Sequence, residues 1–355
     1  MDTLTQAALG AAVGGAVLGH RLGRKAVVIG AALGTLPDLD VFLDYGDAVA
    51  NYTQHRGFSH SLFVLTGLGT LLALLAHRFS AARDIALRHW WLFFVLCLVT
   101  HPLLDALTTY GTQLWWPMDV RPSAWPVIFI IDPLYTLPLL VGIGVALVTG
   151  NGQGGPAWGL ALSSAYLLFA MGAKTLVEYR LDPVLAEQGL QDAPRLVQPT
   201  PFNTLLWRIT IMDEARHHEA LMSLFDGDAE PVFETFERGA ELEPTALAFE
   251  RGERLDWFAG PFLRYEVRDH EGEETLVATD LRLGFPGFHA FSFTLALREE
   301  DDWQPAVPTE QLPYDARVDL DALGLLASRI FSPAPPLCTS DFVADRWVVD
   351  KPDSC

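Results

Sequence analysis

The chain has 355 residues, of which half are hydrophobic, and a formal net charge of −20 from 24 basic and 44 acidic side chains. A chain this acidic repels a polyanion, so nucleic-acid binding through a basic surface is excluded. The high apolar content excludes intrinsic disorder, because disordered chains lack the apolar surface that a folded core buries.

The net charge is confined to one half of the chain. Residues 1–177 carry nine basic and nine acidic side chains, whereas residues 178–355 carry 15 basic and 35 acidic ones. This split predicts a transmembrane helical domain over residues 1–177 and an acidic soluble domain over residues 204–355. Four prolines fall between residues 178 and 203, which predicts a connector there.

The apolar half predicts a multi-pass α-helical membrane bundle of about five to six helices. Residues 4–19 and 26–36 are short and rich in glycine and alanine, which favours an antiparallel helix pair inside the bundle. Aromatic side chains such as Trp90 and Trp125 lie near the ends of apolar segments, as is common at membrane interfaces. The longer apolar segments are residues 60–76, 89–104, 127–149 and 157–177.

The loop charges predict the orientation of the bundle. Residues 20–25 and 77–89 are basic, whereas residues 37–59 carry four aspartates and one arginine. The positive-inside rule therefore places the two basic loops in the cytoplasm and the acidic second half outside. In an oxidising periplasm Cys338 and Cys355 could form a disulfide bond.

The acidic half predicts a soluble β-rich (α+β) domain. Residues 262–268, 275–283 and 288–298 alternate between apolar and polar side chains with a period of two. Turn-like stretches separate these segments, so a sandwich or a curved sheet is expected.

Polar side chains collect at the outer ends of the predicted helices. His101 and Asp105 are four residues apart, so on a helix they share one face and could bind one metal ion or simply hydrogen-bond to each other. His55 and His60 flank a glycine turn, so they either converge on a site or lie exposed in a loop. The full set is Asp38 and Asp40 in GTLPDLD, His55, Arg56, Ser59 and His60 in QHRGFSHS, and His101 and Asp105 in THPLLDALTTYG.

A further carboxylate, Asp132, lies inside an apolar segment just before Pro133. An ionisable side chain within a membrane segment is a candidate for function. The structural alternative is that Asp132 accepts hydrogen bonds from backbone groups that Pro133 and Pro138 leave free.

The energetics of burial favour one shared site for the polar set. An unpaired ionisable side chain at the centre of a membrane helix costs roughly 2.5–3.5 kcal/mol. A divalent cation or a water-filled cavity would offset this cost. Mixed His and Asp ligands suit Zn²⁺ first and Mn²⁺ second, and such a site with an open position lowers the pKa of a bound water to about 7. Arg56 could then hold an anionic group such as phosphate.

The motifs GTLPDLD, HRGFSHSL and HPLLDALTTYG followed by WWP, with the opening MDTLTQAALGAAVG, resemble a known family. This family comprises membrane-bound, metal-dependent hydrolases of bacterial inner membranes, of the YdjM/YbcI-like, LexA-regulated type. The resemblance covers about residues 1–145 and implies an inner-membrane protein with a metal-hydrolase site. It also implies that many relatives have His where this chain has Gln6, a poor metal ligand. The His-x3-Asp pair is similar to that of zinc phospholipases C.

The first hypothesis is therefore a metal-dependent hydrolase at the outer face of the inner membrane, with the acidic domain in the periplasm. A metal-activated water would attack a phosphoester, either a small molecule or a membrane lipid. Asp40 would be a further ligand or the general base, and Arg56 and Ser59 would contact the anionic group of the substrate. The expected metal ligands are Asp38, His55, His60, His101 and Asp105.

Two other hypotheses remain open from the sequence. The polar set could carry a metal ion or a proton across the membrane, which Asp132 and its proline-broken helix favour. The apolar cytoplasmic halves of the helices favour the enzyme instead. Alternatively, the chain could be a non-catalytic regulatory envelope protein with a structural metal, whose acidic domain recruits an unidentified protein partner.

Overall fold

The computed structural model describes residues 1–342 except 81, 83, 287, 301, 314–319, 334 and 335. The chain forms two compact units. The helical unit comprises Met1–Leu43, His55–Met171 and Pro201–Asn203. The β unit comprises Asp44–Gln54, Gly172–Thr200 and the described residues from Thr204 onward.

Helices and strands are numbered in chain order. The helices are α1 (Thr3–Leu22), α2 (Arg24–Thr35), α3 (Ala48–Gln54), α4 (Leu62–Phe79), α5 (Leu87–Asp105), α6 (Pro133–Thr149), α7 (Gly154–Glu187), α8 (Glu243–Leu247), α9 (Glu250–Ala259) and α10 (Leu320–Phe331). Short 3-10 helices cover Pro37–Phe42, Phe58–His60, Ala240–Leu242 and Thr339–Phe342. The strands are β1 (Arg195–Pro199), β2 (Leu206–Met212), β3 (Arg216–Ser223), β4 (Glu234–Glu237), β5 (Leu263–His270), β6 (Glu273–Asp280), β7 (Gly284–Phe285), β8 (Phe288–His289), β9 (Ser292–Glu299) and β10 (Asp302–Pro305).

Among the described helices, α4, α5 and α7 are long and apolar enough to cross a membrane. Helix α6 is also apolar but has only 17 residues. The predicted membrane-helix region is thus confirmed, whereas the predicted total of five to six spans is not reproduced exactly. One reason is that α1 has 20 residues but is rich in glycine and alanine, and 12 of its residues are buried in protein.

Helices α1 and α2 form a hairpin whose backbones approach closely. The turn between them is Gly23, with a φ of 56°. A Cβ atom at Gly14 would lie 2.6 Å from the carbonyl oxygen of Ala26, and one at Gly34 would lie 2.5 Å from that of Gln6. Because only glycine leaves room for such contacts, the hairpin depends on these residues. The hairpin packs on α5 in the core of the helical unit.

Asp132 has a structural role in the helical unit. Its side chain caps the N-terminus of α6, accepting hydrogen bonds from the main-chain nitrogens of Leu134 at 2.9 Å and Tyr135 at 3.2 Å. The Tyr166 hydroxyl donates a third hydrogen bond at 2.8 Å. The buried carboxylate is therefore satisfied by the start of its own helix and by one neighbouring tyrosine.

The β unit contains two four-stranded antiparallel sheets, with strand orders β1-β2-β3-β4 and β10-β9-β6-β5. The three segments of alternating sequence correspond to β5, β6 and β9, which confirms the β-rich character of this region. A small β7-β8 hairpin lies between β6 and β9 in the chain. Cys355 lies outside the described residues, so its pairing with Cys338 stays a prediction.

The interval predicted as a connector, residues 178–203, contains regular structure. Helix α7 continues to Glu187 and β1 pairs along its whole length with β2. The helix continues because Leu181 and Leu185 are buried in a core that includes Val197 and Trp207. Packing of this apolar face outweighs the local effect of proline in the interval.

Helix α3 belongs to the β unit although it precedes most of the membrane helices in the chain. The Tyr52 hydroxyl donates to Asp280 at 2.9 Å, and its ring stacks on Phe291 with centroids 4.4 Å apart. Asp47 accepts hydrogen bonds from Arg251 at 2.6 Å and from the Thr309 hydroxyl at 2.9 Å. Residues 44–54 are thus held by partners more than 200 residues away in the chain.

The glycine contacts of the α1–α2 hairpin can be tested directly. In Gly14→Ala the new methyl group meets the Ala26 carbonyl, so we expect a loss of roughly 1–3 kcal/mol in stability. Gly144→Ala in α6 is the matched control, because a Cβ atom there meets nothing within 4 Å. Thermal unfolding of the purified protein in detergent measures both variants. Equal melting temperatures for the two variants would contradict the role assigned to the hairpin.

Candidate metal centre

Four side chains from three chain segments meet in the helical unit. Asp38 lies in the 3-10 helix Pro37–Phe42, His60 ends the next 3-10 helix, and His101 and Asp105 lie in the last turns of α5. One donor atom from each residue lies within 4.8 Å of the others. His60, His101 and Asp105 are buried, whereas the Asp38 side chain is 18% exposed. This group can hold a metal ion.

The distances between the donor atoms define a compact cage. The Nε2 atoms of His60 and His101 are 3.1 Å apart. The His60 Nε2 lies 3.3 Å from Asp38 Oδ1 and 3.2 Å from Asp105 Oδ2. The corresponding distances for the His101 Nε2 are 3.2 Å and 3.3 Å. A tetrahedron with metal–ligand distances of about 2.0 Å has edges of about 3.3 Å, so the donor set fits a zinc-sized ion.

Hydrogen bonds behind the two imidazoles fix which ring nitrogen faces the cage. The His101 Nδ1 lies 2.6 Å from the Gly34 carbonyl, which only accepts, so Nδ1 is the donor. The Ser59 hydroxyl donates to Asp40 at 2.6 Å and therefore accepts from the His60 Nδ1 at 2.9 Å. Both rings thus turn Nε2 towards the cage, as in many metal sites.

Asp38 and Asp40 lie outside the membrane-spanning segments, and their surroundings favour the ionised form. Burial alone raises the pKa of Asp38, but its close contacts with the imidazoles of His101 and His60 outweigh burial and hold the pKa well below its usual range. For Asp40, burial is likewise outweighed by hydrogen bonds from His55 and Ser59, which lower its pKa. Both groups are therefore carboxylates at neutral pH.

The two oxygens of Asp105 have different surroundings. Oδ1 accepts hydrogen bonds from the Gln6 amide at 2.9 Å and from the main-chain nitrogen of Met1. Oδ2 has no hydrogen-bond partner among the described residues and faces the cage. Gln6 also donates to the carbonyl of His101 at 3.3 Å. Gln6 therefore holds the Asp105 carboxylate in place, a role that only its polarity within an apolar helix could have indicated.

Asp40 is not one of the four cage residues, but it hydrogen-bonds to groups beside them. Its Oδ2 accepts from the main-chain nitrogen of Arg56 at 2.9 Å and from the Ser59 hydroxyl, and its Oδ1 lies 2.9 Å from the His55 Nδ1. Because three hydrogen bonds occupy the carboxylate, Asp40 organises the segment that carries His60. Ser59 connects Asp40 with His60 in the same network.

His55 lies next to the four-residue group and not within it. Its ring centroid is 6.1 Å from that of His60 and 5.6 Å from that of Tyr110. The side chain is 23% exposed. The structure therefore brings together four of the five residues predicted as ligands and places His55 at their edge. The assignment of ligands and catalytic roles stays a prediction.

Arg56 places a buried cation beside the cage. Its Nε lies 3.5 Å from Asp105 Oδ2, and its guanidinium group lies 5.0 Å from the centre of the Tyr110 ring. The Nε and Nη1 atoms have no hydrogen-bond acceptor among the described residues. Buried donors are normally satisfied, so these N–H groups fit an anionic ligand at this position. The Gln113 main-chain nitrogen donates to the Arg56 carbonyl at 3.0 Å and fixes the segment.

Comparison with known proteins agrees with the architecture of the helical unit. The family model described as YdjM inner membrane protein matches residues 1–177. The inner membrane protein YbcI of Escherichia coli (strain K12) is 35% identical over 109 residues, which cover 30% of this chain and 59% of the relative. No solved structure shows a significant match to the chain.

A second relative is the uncharacterized protein YfhP of Bacillus subtilis (strain 168). It is 25% identical over 220 residues, which cover 59% of this chain and 65% of the relative. The chain therefore spans less than two thirds of the length of either relative. Residues 1–177 match the YdjM inner membrane protein family, and this match together with the apolar helices supports a bacterial inner membrane protein.

Proposed function

We propose that the helical unit is a membrane-bound, metal-dependent hydrolase that cleaves a phosphoester. The observation that carries this proposal is the cage of four converging donor atoms beside a buried arginine, two of whose nitrogens find no hydrogen-bond acceptor in the described part of the chain. A metal site alone would need only the cage. The arginine adds a place for an anionic substrate group at the same point.

The donor set is the basis for the choice of metal. Two imidazoles and two carboxylates suit Zn²⁺ first and Mn²⁺ second. Asp38, His60, His101 and Asp105 would hold the ion, which when bound supplies Lewis-acid activation of a water molecule near neutral pH. Asp38 is the most exposed of the four, so water and substrate would reach the site on its side.

Arg56 would bind and orient the phosphoryl group. Its guanidinium group is held from behind by Tyr110 and is close to Asp105, so the free N–H groups have a defined direction. Arginine binds phosphoryl oxygens through paired hydrogen bonds and stays charged at any physiological pH. The same contact would stabilise the charge that develops on the phosphoryl oxygens during hydrolysis.

His55 would donate a proton to the leaving oxygen. The hydrogen bond to Asp40 fixes the His55 ring through Nδ1, which leaves Nε2 to contact the substrate. Partial exposure lets the ring reach a bound molecule. In this proposal Asp40 positions His55 and Ser59, in place of the role of further ligand or general base expected from the sequence.

The proposed site would lie at the outer face of the inner membrane, with the acidic β unit in the periplasm. The basic residues of the two short loops at residues 20–25 and 77–89 support this orientation. We assign no protein partner to the β unit.

A closed structural metal site is the second candidate function. Four protein donors at tetrahedral spacing resemble the closed coordination of structural zinc, which favours the regulatory envelope protein among the alternatives. The transport alternative has less support. Asp132, the residue that favoured it, is accounted for as the N-terminal cap of α6.

Metal analysis tests the cage. We expect the purified protein to contain about one equivalent of zinc or manganese per chain, because the four donors surround one ion. His101→Ala should lose most of this metal, whereas His89→Ala, at the other end of the same helix, should keep it. Elemental mass spectrometry measures the content. A folded protein that contains no metal and takes none up would overturn the proposal.

Variants of Arg56 separate substrate binding from metal binding. Because lysine keeps the charge but loses the planar fork, Arg56→Lys should lower kcat/KM for phosphoesters by roughly 10²-fold. Its metal content should equal that of the wild type. Arg78→Lys at the end of α4 is the control and should keep full activity. Unchanged kcat/KM in Arg56→Lys would exclude this arginine from substrate binding.

Gln6→Leu tests the support of Asp105. Loss of a group that orients a metal ligand typically costs 10–100-fold in metal affinity, and we expect a Kd raised by roughly that factor. Competition with a chelator measures the Kd. The melting temperature of the metal-free variant provides the control for folding. If the metal-free protein is destabilised and the Kd is unchanged, Gln6 has only a packing role.

A further inference from the structure

The 3-10 helix Pro37–Phe42 has two sides of opposite character. Asp38 and Asp40 make hydrogen bonds within the site. The residues between and after them are apolar and exposed: Val41 is 64% and Phe42 83% exposed, and Leu39 is also exposed. A soluble protein rarely places such side chains in water next to a polar site.

A second apolar segment adjoins the other side of the site. Phe58 lies between Arg56 and His60 in the chain, is exposed, and packs edge-on against Trp116 with ring centroids 6.3 Å apart. The neighbouring Trp115 and Met118 are also exposed. We call these side chains and those of the 3-10 helix the apolar rim: Leu39, Val41, Phe42, Phe58, Trp115, Trp116 and Met118.

The rim is attached to the segments that carry the ligands. The Ser61 hydroxyl donates to the carbonyl of Trp116 at 2.6 Å, and the main-chain nitrogen of Leu62 donates to Leu114 at 3.0 Å. The half of the rim on the 3-10 helix is held by the hydrogen bonds of Asp40 with Arg56 and Ser59, so both halves have a fixed position relative to His60. Since α4 begins at Leu62, this position is the end of a membrane helix.

These observations bear on the substrate of the proposed hydrolase, and the inference rests on that function. We propose that the apolar rim inserts into the boundary between headgroups and acyl chains, and that the substrate is a bilayer lipid with a phosphoester headgroup. Tryptophan and phenylalanine favour that boundary. The acyl chains of the lipid would stay in the bilayer beside the rim, while the phosphate reaches Arg56 and the cage.

The reaction balances without any further reactant. The oxygen of a water molecule forms a bond to phosphorus, the ester P–O bond breaks, and the leaving oxygen takes a proton from His55. One proton of the water stays on the oxygen that is now bonded to phosphorus, and the other returns to His55 or to solvent. The products are an alcohol and a phosphate with one ester bond fewer.

A protein partner is the other molecule that could cover an apolar rim. Lipid is favoured because Phe58 of the rim lies just before helix α4, which is long and apolar enough to cross a membrane. Leu71 and Leu74 of this helix are also exposed. Binding energy from acyl contacts would also concentrate the substrate at the site.

The experiment compares lipid and soluble esters with the full-length, metal-loaded protein. The lipids are phosphatidic acid and phosphatidylglycerol in phosphatidylcholine vesicles. Their soluble counterparts are p-nitrophenyl phosphate and bis(p-nitrophenyl) phosphate. We expect Phe42→Ser to lower the ratio of lipid to soluble kcat/KM roughly tenfold. The control is Val148→Ser. Val148 is 81% exposed and lies at the C-terminal end of α6, away from the rim, so this variant should leave the ratio unchanged.

The outcomes distinguish the two proposals. Wild-type hydrolysis of soluble esters without hydrolysis of lipid, or an equal ratio in Phe42→Ser and Val148→Ser, overturns the lipid inference and leaves the hydrolase standing. Hydrolysis of neither class by metal-loaded protein overturns both. A rim that is covered by a protein partner would show lipid hydrolysis independent of Phe42, which also counts against the inference.

Discussion

Two imidazole nitrogens 3.1 Å apart, each also about 3.2 Å from two carboxylate oxygens, need positive charge between them. Protons or a metal ion can supply this positive charge. In a buried site at the end of a membrane helix, the free-energy cost of leaving the carboxylates without it is high. The surrounding hydrogen bonds favour a metal ion over protons. The Gly34 carbonyl and the Ser59 hydroxyl hold the far side of each ring, so both lone pairs that remain point at one location.

The helix hairpin at the N-terminus connects packing with this polar site. Its glycines let α1 and α2 approach until main-chain atoms touch, and the same approach brings the Gln6 side chain to Asp105 and the Gly34 carbonyl to His101. A larger residue in the hairpin would therefore move polar atoms as well as helices. In this protein the small residues serve the geometry of the site and not only the contact between helices.

Part of this arrangement could be predicted from the sequence. The four-residue spacing of His101 and Asp105 predicted their common face, since that spacing is a property of any helix. The position of His55 could not be predicted, because it depends on a hydrogen bond to Asp40, 15 residues away in a separate 3-10 helix. The strands of the first sheet were not predicted, although residues 207–211 of β2 alternate between apolar and polar side chains. The polar side chains of this strand are buried as well, because Arg208 and Thr210 both donate hydrogen bonds to Glu219.

The location of α3 has a consequence for how the chain can be divided. Residues 44–54 separate Asp40 from His55, yet Tyr52 and Asp47 find their partners at Asp280 and Arg251. A fragment that stops after the last membrane helix would leave this aromatic and this carboxylate without those partners, inside the short stretch that joins the segments of Asp38 and His60. The acidic half therefore cannot be removed cleanly, because helix α3 belongs to the β unit but is encoded within the membrane half.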